Sequence, residues 1–265
     1  MKNILYIFLA VTIFACSDDD SSDSNNVSNE KLIESITVIS GNCQNTHNLW
    51  LDYDNDNRIK SFQIQYVETN CDGEVGSNSD IENGQLEYNE NSILISFINE
   101  TPFLIPIDQN GLLYDVNTTF VNGYLISTNS SSFFGGNCDV TRLWDNNNLI
   151  EANNYAQNNN CSVRKVLLEY NENLNLIRFY WNDWHIWSGT VIELTGVFGK
   201  GSKNLLSKST TLYDDDNDNS IDREEIYNYY YQLDEDGYPS VINIITTYSN
   251  STIERSVTYQ LTYTN

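Results

Sequence analysis

The sequence predicts an all-β protein, built as an antiparallel meander of repeated β-hairpins. The chain contains 18 Tyr, 10 Phe and 5 Trp but only one Met, and aromatic residues are enriched in strands. Short alternating apolar runs are separated by Asn and Asp clusters, which is typical of hairpins. Beyond the N-terminus, no long stretch repeats with the 3.6-residue period of a helix. We expect a dozen or more strands, arranged as one curved sheet, a barrel or a sandwich.

Individual strands and turns can be located from this pattern. Residues 61–66 alternate between apolar and polar side chains, and so do residues 257–263. Each set is therefore predicted to be a strand with one buried face. Asp236-Gly237 marks a turn between two such strands.

The chain also repeats itself. The hexapeptide Leu86–Asn91 recurs without change as Leu168–Asn173, and an apolar run follows each copy. Repeats of one supersecondary unit are typical of stacked or meandering architectures. We therefore expect two related segments, about residues 33–110 and 121–200, and a third segment over residues 201–265.

The N-terminus predicts export. A lysine at position 2 precedes an apolar run, Ile4–Ala15, which at 12 residues is shorter than the roughly 20 residues needed to span a bilayer. Such a segment is typical of a secretory signal. We assign residues 1–15 to the signal, residues 16–30 to a polar tether that cannot bury apolar surface, and residues 31–265 to the β-rich body.

Cys16 follows the small residue Ala15, and this junction resembles the lipobox of bacterial lipoproteins. The resemblance implies that Cys16 becomes the lipidated N-terminus of the mature chain; the alternative is an ordinary signal peptide with a chance cysteine. The following Ser17–Asp20 resembles the acidic tag that directs Bacteroidota lipoproteins to the outer leaflet of the outer membrane. A plain solvated spacer is the alternative.

Charge restricts the possible partners. The chain carries 13 basic and 37 acidic residues, a net charge of −24. Such a charge repels nucleic-acid phosphates and anionic lipid head groups. We therefore expect no nucleic-acid partner and membrane contact only through the lipid anchor. The same charge attracts divalent cations.

Four cysteines remain if Cys16 carries lipid, and an even number in an exported protein favours disulfides. Their flanking residues are similar in pairs, and a strand–turn–strand pattern follows the first member of each pair. The predicted bridges are Cys43–Cys71 and Cys138–Cys161. A zinc site is the alternative, but the sequence has no CxxC spacing.

Residues 214–225 predict a calcium loop. Oxygen donors occupy positions 1, 3, 5, 9 and 12, with a backbone carbonyl available at position 7. The candidate ligands are Asp214, Asp216, Asp218, Ser220, Asp222 and Glu225. The alternative is a solvated hairpin turn, because the flanks are predicted strands and residues 52–57 repeat the first half of the pattern without the later ligands.

A second candidate site is aromatic. Strand alternation would place Trp181, Asp183, His185 and Trp187 on one face, and flat indole faces beside polar groups suit sugar rings. The alternative is that these side chains are buried, since large aromatic residues mostly are.

The sequence predicts no catalytic residue. It contains no nucleophile elbow, no HExxH metal motif and no phosphate-binding glycine loop. The sequence does not decide whether two carboxylates are paired for glycoside hydrolysis, because the distance between them depends on the fold.

Three stretches of the last segment, Lys203–Lys208, Tyr231–Pro239 and Tyr259–Tyr263, resemble a Bacteroidota family of β-rich surface lipoproteins of unknown function. Its strands and turns also resemble tyrosine–aspartate repeat proteins. The resemblance covers about the last 65 residues and implies a fold and a location. Together these features predict a surface-exposed outer-membrane lipoprotein without catalysis, which binds a glycan or a protein or serves as an accessory of a surface complex. A polysaccharide hydrolase and a calcium-stabilised adhesion module are the alternatives.

Overall fold

The structure, a computed structural model, describes residues 31–40, 45–69, 75–98, 101–115, 117–128, 138–156, 163–177, 191–192, 194–216, 218, 220–249 and 251–264. Within these ranges the chain forms 15 strands in one antiparallel sheet. The predicted all-β class and hairpin meander are therefore confirmed. No helix in these ranges is long and apolar enough to cross a bilayer.

The strands follow one another at short intervals along the chain. Their bounds are β1 Ile33–Ser40, β2 Asn45–Tyr53, β3 Ile59–Thr69, β4 Val75–Asn89, β5 Ser92–Phe97, β6 Phe103–Pro106, β7 Thr118–Val121, β8 Tyr124–Thr128, β9 Cys138–Asp145, β10 Asn148–Ala156, β11 Val163–Leu174, β12 Asn204–Tyr213, β13 Arg223–Leu233, β14 Pro239–Tyr248 and β15 Ser251–Tyr263.

The sheet has the strand order β6-β5-β4-β3-β2-β1-β15-β14-β13-β12-β11-β10-β9-β8-β7. The first and last strands lie side by side at its centre, where Ile36 pairs with Leu261 and Val38 with Tyr259. Strands β6 and β7 form the two edges and do not pair with each other. Of the three predicted arrangements, the structure is therefore the single open sheet.

The sheet must be strongly curved. Fourteen steps between strands would separate β6 from β7 by roughly 65 Å in a flat sheet. The connection between these edge strands, residues 107–117, can reach only about 40 Å even when fully extended. The two edges are therefore brought toward each other, and the apolar face of the sheet covers itself.

A short stretch, here named the seam segment (residues 194–203), contacts both edges of the sheet. The carbonyl of Val197 accepts a hydrogen bond of 2.8 Å from the N–H of Leu113, in the connection that follows β6. The N–H of Lys200 donates to the carbonyl of Gly123, in the β7–β8 hairpin, at 2.8 Å. Val197 is almost fully buried. The seam segment thus joins the two edges without a β ladder.

The core lies on one face of the sheet. Its buried side chains come from both halves of the strand order and include Ile36, Leu49, Ile93, Ile105, Leu206 and Tyr229. The alternation predicted for residues 61–66 and 257–263 is confirmed for five of the side chains expected to be buried. They are Phe62, Ile64, Val257, Tyr259 and Leu261. The opposite face exposes polar side chains such as Gln63 and Gln85, together with apolar ones such as Trp50, Ile81 and Tyr230.

Three hairpins share one turn. In each, the side chain of a first-position aspartate accepts hydrogen bonds from the N–H groups two and four residues later, at 2.8–3.0 Å. The aspartates are Asp54, Asp108 and Asp234. The residue three positions later has a positive φ, as expected for Asn or Gly. The predicted turn at Asp236-Gly237 is one of these three.

Four tyrosines, here named the tyrosine clips, join neighbouring strands through their hydroxyl groups. Each donates a hydrogen bond of 2.6–2.7 Å to a backbone carbonyl at or near the start of the preceding strand. The pairs are Tyr53 with Ile33, Tyr170 with Leu149, Tyr231 with Leu206 and Tyr263 with Pro239. Because the phenol bodies pack against the core, each clip combines apolar burial with a satisfied hydroxyl.

The repeated hexapeptide adopts two different structures. The first copy closes the β4–β5 hairpin, in which Asn89 pairs with Ser92. The second copy continues as β11 to Leu174 and pairs with β12. Tertiary pairing therefore overrides the local sequence, as is common for short segments.

Candidate functional site

Several predicted residues lie outside the described part of the chain. These are Cys16 with the rest of residues 1–30, the aromatic set Trp181, Asp183, His185 and Trp187, and the cysteines Cys43, Cys71 and Cys161. The backbone of Cys138 begins β9, but its side chain is not described. The lipid anchor, the aromatic site and both disulfides therefore stay predictions.

The structure brings three of the six predicted calcium ligands together. Asp214, Asp216 and Asp218 each offer a carboxylate oxygen, and these oxygens lie within 4.8 Å of one another. Calcium–oxygen distances are about 2.3–2.6 Å, so one ion could contact all three. Asp214 is fully buried, whereas the other two are exposed.

Electrostatics in this loop reflect crowded negative charge. The Asp218 N–H, which donates to Asp216 at 3.2 Å, lowers the pKa of the Asp216 carboxyl. Burial and the charges of Asp218, Asp222 and Asp214 outweigh this effect, so the pKa of Asp216 is raised overall. A bound cation would relieve the same repulsion.

The remaining predicted ligands have other contacts. The N–H of Ser220 donates to the Asp218 carboxylate at 2.7 Å, and Asp222 accepts from the N–H of Asp215 at 2.6 Å. Glu225 lies on the core side of β13, where it accepts hydrogen bonds from the hydroxyls of Tyr213 and Tyr227 and pairs with Arg223. Position 12 of the motif is thus separated from positions 1, 3 and 5.

The related turn at residues 54–58 balances its charge differently. The guanidinium of Arg58 lies 2.7 Å from Asp54 and 3.1 Å from Asp56. Hydrogen bonds from the Arg58 side chain and backbone lower the pKa of the Asp54 carboxyl. The guanidinium of Arg58 therefore lies between these two carboxylates, where a metal ion would otherwise bind. This agrees with the weaker calcium motif in that turn.

A different site, which the sequence did not single out, lies on the polar face of the sheet. Three consecutive residues from each of β2, β3 and β4, and three from the end of β5 and the residue after it, line an open cleft with a volume of about 520 Å³. We name it the outer trough. One wall is Trp50, Gln63, Asn83 and Ile98; the other is Asp52, Ser61, Gln85 and Ser96; the floor is the backbone of Leu51, Phe62, Gly84 and Phe97.

The register of the strands sets the shape of the outer trough. Trp50 pairs with Gln63 and Gln63 with Asn83, so each wall runs across the strands. Four strands spaced by about 4.8 Å make the trough roughly 14 Å long, and the two walls are separated by about 7 Å along the strands. The dimensions suit an extended ligand that crosses the strands.

The walls of the outer trough offer an apolar plate and several polar groups. Trp50 is 39% exposed, and within the described residues its indole N–H has no hydrogen-bond partner. Gln63 donates to Asn83 at 2.8 Å, which leaves the carbonyl oxygen of Gln63 and the amide N–H₂ of Asn83 available. The trough can therefore stack on a ring and exchange hydrogen bonds with its substituents.

Gly84 lies beneath the trough, on the core side. A Cβ atom at this position would collide with the ring of Phe62 on the neighbouring strand. Phe62 in turn packs edge-on against Phe97, with ring centroids 5.6 Å apart. The absent side chain of Gly84 thus lets the aromatic core close directly under the floor of the trough.

One signal in the sequence could have located this site. Leu49 and Leu51 are buried, so alternation places Trp50 on the polar face with Gln63 and Gln65. The strand pairing that brings β2, β3, β4 and β5 side by side was required to turn this exposed indole into a trough.

Comparisons with known proteins identify a shared fold. No family model matches the chain, and no curated protein matches it. A crystal structure described as a porin-like protein from Bacteroides uniformis matches 88% of this chain and 98% of its own, with a TM-score of 0.63 and 11% identity. The two proteins share a fold. At this identity the likeness extends no further.

A second crystal structure, of the DNA polymerase III subunit beta from Pseudomonas aeruginosa, matches 91% of this chain and 59% of its own. Its TM-score is 0.15 and its identity is 11%. A TM-score this low means that the two structures do not superpose as one fold.

Proposed function

We propose that this protein is a lipid-anchored outer-membrane protein, exposed at the cell surface, that binds a glycan in the outer trough without catalysis. The observation that carries the binding proposal is the exposed indole of Trp50, set in a wall of amides. The signal, Cys16 and the acidic residues after it support the anchor and the location. The fold shared with a Bacteroides protein described as porin-like also supports an outer-membrane setting.

The distribution of polarity supports attachment through the lipid alone. The apolar face of the sheet is turned inward and is buried. The opposite face exposes amides and hydroxyls such as those of Gln63, Gln85 and Ser61. A face of this kind is stable in water and costly in hydrocarbon. The body is therefore expected to stand away from the membrane.

A sugar fits the chemistry of the outer trough. The C–H face of a pyranose is flat and apolar, and its rim carries hydroxyls that both donate and accept hydrogen bonds. Trp50 provides a matching flat surface, and Gln63, Asn83 and Gln85 provide both donors and acceptors. A few polar groups around an apolar plate are typical of small-ligand sites.

The same walls support binding rather than hydrolysis. Glycoside hydrolases use two carboxyl groups, placed about 5–9.5 Å apart across the bond that breaks. Among the described residues that line the outer trough, Asp52 supplies one carboxylate. The trough thus holds a sugar chain without the acid and base pair that cleavage requires.

Replacing Trp50 by alanine is expected to remove glycan binding. Truncating an aromatic anchor at the centre of an interface typically costs 2 kcal/mol or more, about 30-fold in affinity. The measurement is a glycan-array screen of the full chain, followed by titration calorimetry of each positive glycan. Surface labelling of intact cells tests the proposed location.

Tyr230→Ala is the matched control. Tyr230 is an aromatic residue on the same face of the sheet, 55% exposed against 39% for Trp50, but it lies on β13, outside the outer trough. The control should bind as the unaltered chain does. Equal binding by both variants would show that the outer trough is not the binding site. If the protein binds a protein ligand and no glycan, the proposed function changes from glycan binding to protein recognition.

Calcium binding to Asp214, Asp216 and Asp218 is a second proposal, supported by the 4.8 Å grouping of their oxygens. Calcium at a hundredfold excess over its dissociation constant is expected to stabilise the fold by about 2.7 kcal/mol. The measurement is the melting temperature of the full chain with calcium and with chelator. Asp216→Asn should abolish the shift, whereas Asp56→Asn, in the Arg58-paired turn, should keep it. An unchanged melting temperature in calcium would end the proposal.

A further inference from the structure

The outer trough has a charge character that narrows its ligand beyond the general class of glycans. Among the described residues lining it, Asp52 is the one charged side chain, and neither lysine nor arginine is present. Sugars that carry carboxylate or sulfate groups are normally bound through arginine or lysine, which match anions with charge-assisted hydrogen bonds. The trough offers an anionic sugar a carboxylate instead.

We propose that the outer trough selects a neutral, extended oligosaccharide, and that Asp52 acts as the specificity-determining residue by repelling anionic glycans. This inference rests on the proposed glycan-binding function. It adds the class of sugar that is bound, the direction in which the sugar chain lies in the outer trough, and the residue that discriminates neutral from anionic sugars.

Position makes Asp52 suited to this role. It is exposed, and it lies two residues from Trp50 on the same strand and on the same face. A ring stacked on Trp50 therefore presents its near edge toward the Asp52 carboxylate. Ser61 on β3 pairs with Asp52 on β2, and the hydroxyl oxygen of Ser61 lies 3.4 Å from the Asp52 carboxylate. The carboxylate lies in the wall and can accept hydrogen bonds from sugar hydroxyls.

The geometry of the walls sets the direction of the ligand. Apolar side chains stand at both ends of one wall, Trp50 on β2 and Ile98 after β5, and the amides of Gln63 and Asn83 lie between them. A chain of sugars that lies along this wall contacts the indole of Trp50, then the two amides, and then the side chain of Ile98. A ligand parallel to the strands would leave the trough after about 7 Å. The ligand therefore crosses the strands from β2 to β5.

The size of the charge effect can be anticipated. Two unit charges roughly 4 Å apart in water interact by about 1 kcal/mol, which changes affinity about fivefold. This interaction falls as salt rises, because exposed charges are screened beyond about 10 Å at 0.1 M. The preference for neutral over anionic sugars should therefore be largest at low salt.

The test compares neutral and anionic probes on the full chain by titration calorimetry. The neutral probes are cello-, xylo- and manno-oligosaccharides of increasing length, and the anionic probes are oligogalacturonates and heparin fragments. Neutral binding should strengthen with length until the trough is filled and then level off. Asp52→Asn should raise the affinity for the anionic probes relative to the neutral probes about fivefold at low salt.

Glu87→Gln is the matched control, because it removes the same charge from an exposed position on β4 just beyond the wall residue Gln85. It should leave the choice of glycan unchanged. The inference fails if anionic glycans bind the unaltered chain more tightly than neutral ones, or if Glu87→Gln relaxes the choice as much as Asp52→Asn. In both cases a loss of binding in Trp50→Ala would still support the proposed function. Unaltered binding in Trp50→Ala would instead refute the proposed function itself.

Discussion

Raising the pH from 10 to 12 is expected to unfold this protein completely, because its tyrosine clips keep their protons in the folded state. Burial raises the pKa of Tyr170 and of Tyr229 to about 12, and it raises the pKa of Tyr53, Tyr231 and Tyr263 further still. In the unfolded chain the same phenols titrate near pH 10.

The sign of the effect follows from proton counts. Between pH 10 and 12 the unfolded chain binds fewer protons than the folded one, so the free energy of unfolding falls as pH rises. Each largely buried tyrosine contributes a fall of about 1.4 kcal/mol per pH unit. The stabilising contribution is fully present below pH 10. From pH 10 to 12 the five residues together lose at most about 14 kcal/mol, which is comparable with a typical stability of about 5–15 kcal/mol.

Circular dichroism of the strands and phenolate absorbance, followed together in a pH titration, measure this effect. The strand signal should be lost in one cooperative step above pH 10, together with the part of the phenolate absorbance that belongs to the buried tyrosines. Tyr231→Phe loses a hydrogen bond and should cost about 0.5–1.5 kcal/mol at pH 7, but it should unfold at a higher pH than its stability at pH 7 implies. The exposed neighbour Tyr230→Phe is the control and should shift neither value. Ionisation of all the phenols with the strand signal intact would contradict the argument.

Substituting Gly199 by alanine is expected to destabilise the protein by about 2–5 kcal/mol. Gly199 has a φ of 85°, a conformation that costs a residue with a Cβ about 1–2 kcal/mol. The added Cβ would also collide with the carbonyl oxygen of Gly123. This carbonyl accepts the hydrogen bond from Lys200, so the contact between the seam segment and the β7–β8 hairpin would open.

Gly196 provides a matched control in the same segment. Its φ is 80°, and a Cβ atom there would meet nothing within 4 Å. Gly196→Ala should therefore show the backbone cost alone, about 1–2 kcal/mol. Urea unfolding of both variants, analysed with the slope as well as the midpoint, gives the difference. Equal losses would mean that the seam contact does not stabilise the fold.

Local features of this fold were predictable from sequence. Alternation located the strands around Phe62 and Tyr259, because a sheet with one buried face imposes a period of two on its side chains. The turn at Asp236-Gly237 was predictable because few residues other than glycine adopt its positive φ. The hairpin meander follows from these two signals.

The arrangement in space was not predictable in the same way. Nothing near Ile36 indicates that its neighbour is Leu261, since such a pairing depends on the whole set of strands. The hexapeptide at Leu86 and Leu168 shows how little six residues determine, because one copy turns and the other continues. Trp50 became a candidate only once the register placed Gln63 and Asn83 beside it.

The pairing of β1 with β15 has a consequence for how the molecule reaches its final form. Its central ladder joins residues more than 200 positions apart, such as Val38 and Tyr259, and contacts so distant in sequence form slowly. Until the last strand arrives, β1 presents an open edge on which other chains could add and aggregate. Assembly therefore finishes at the middle of the sheet, and the edge of β1 is the place where incompletely folded chains are expected to associate until that moment.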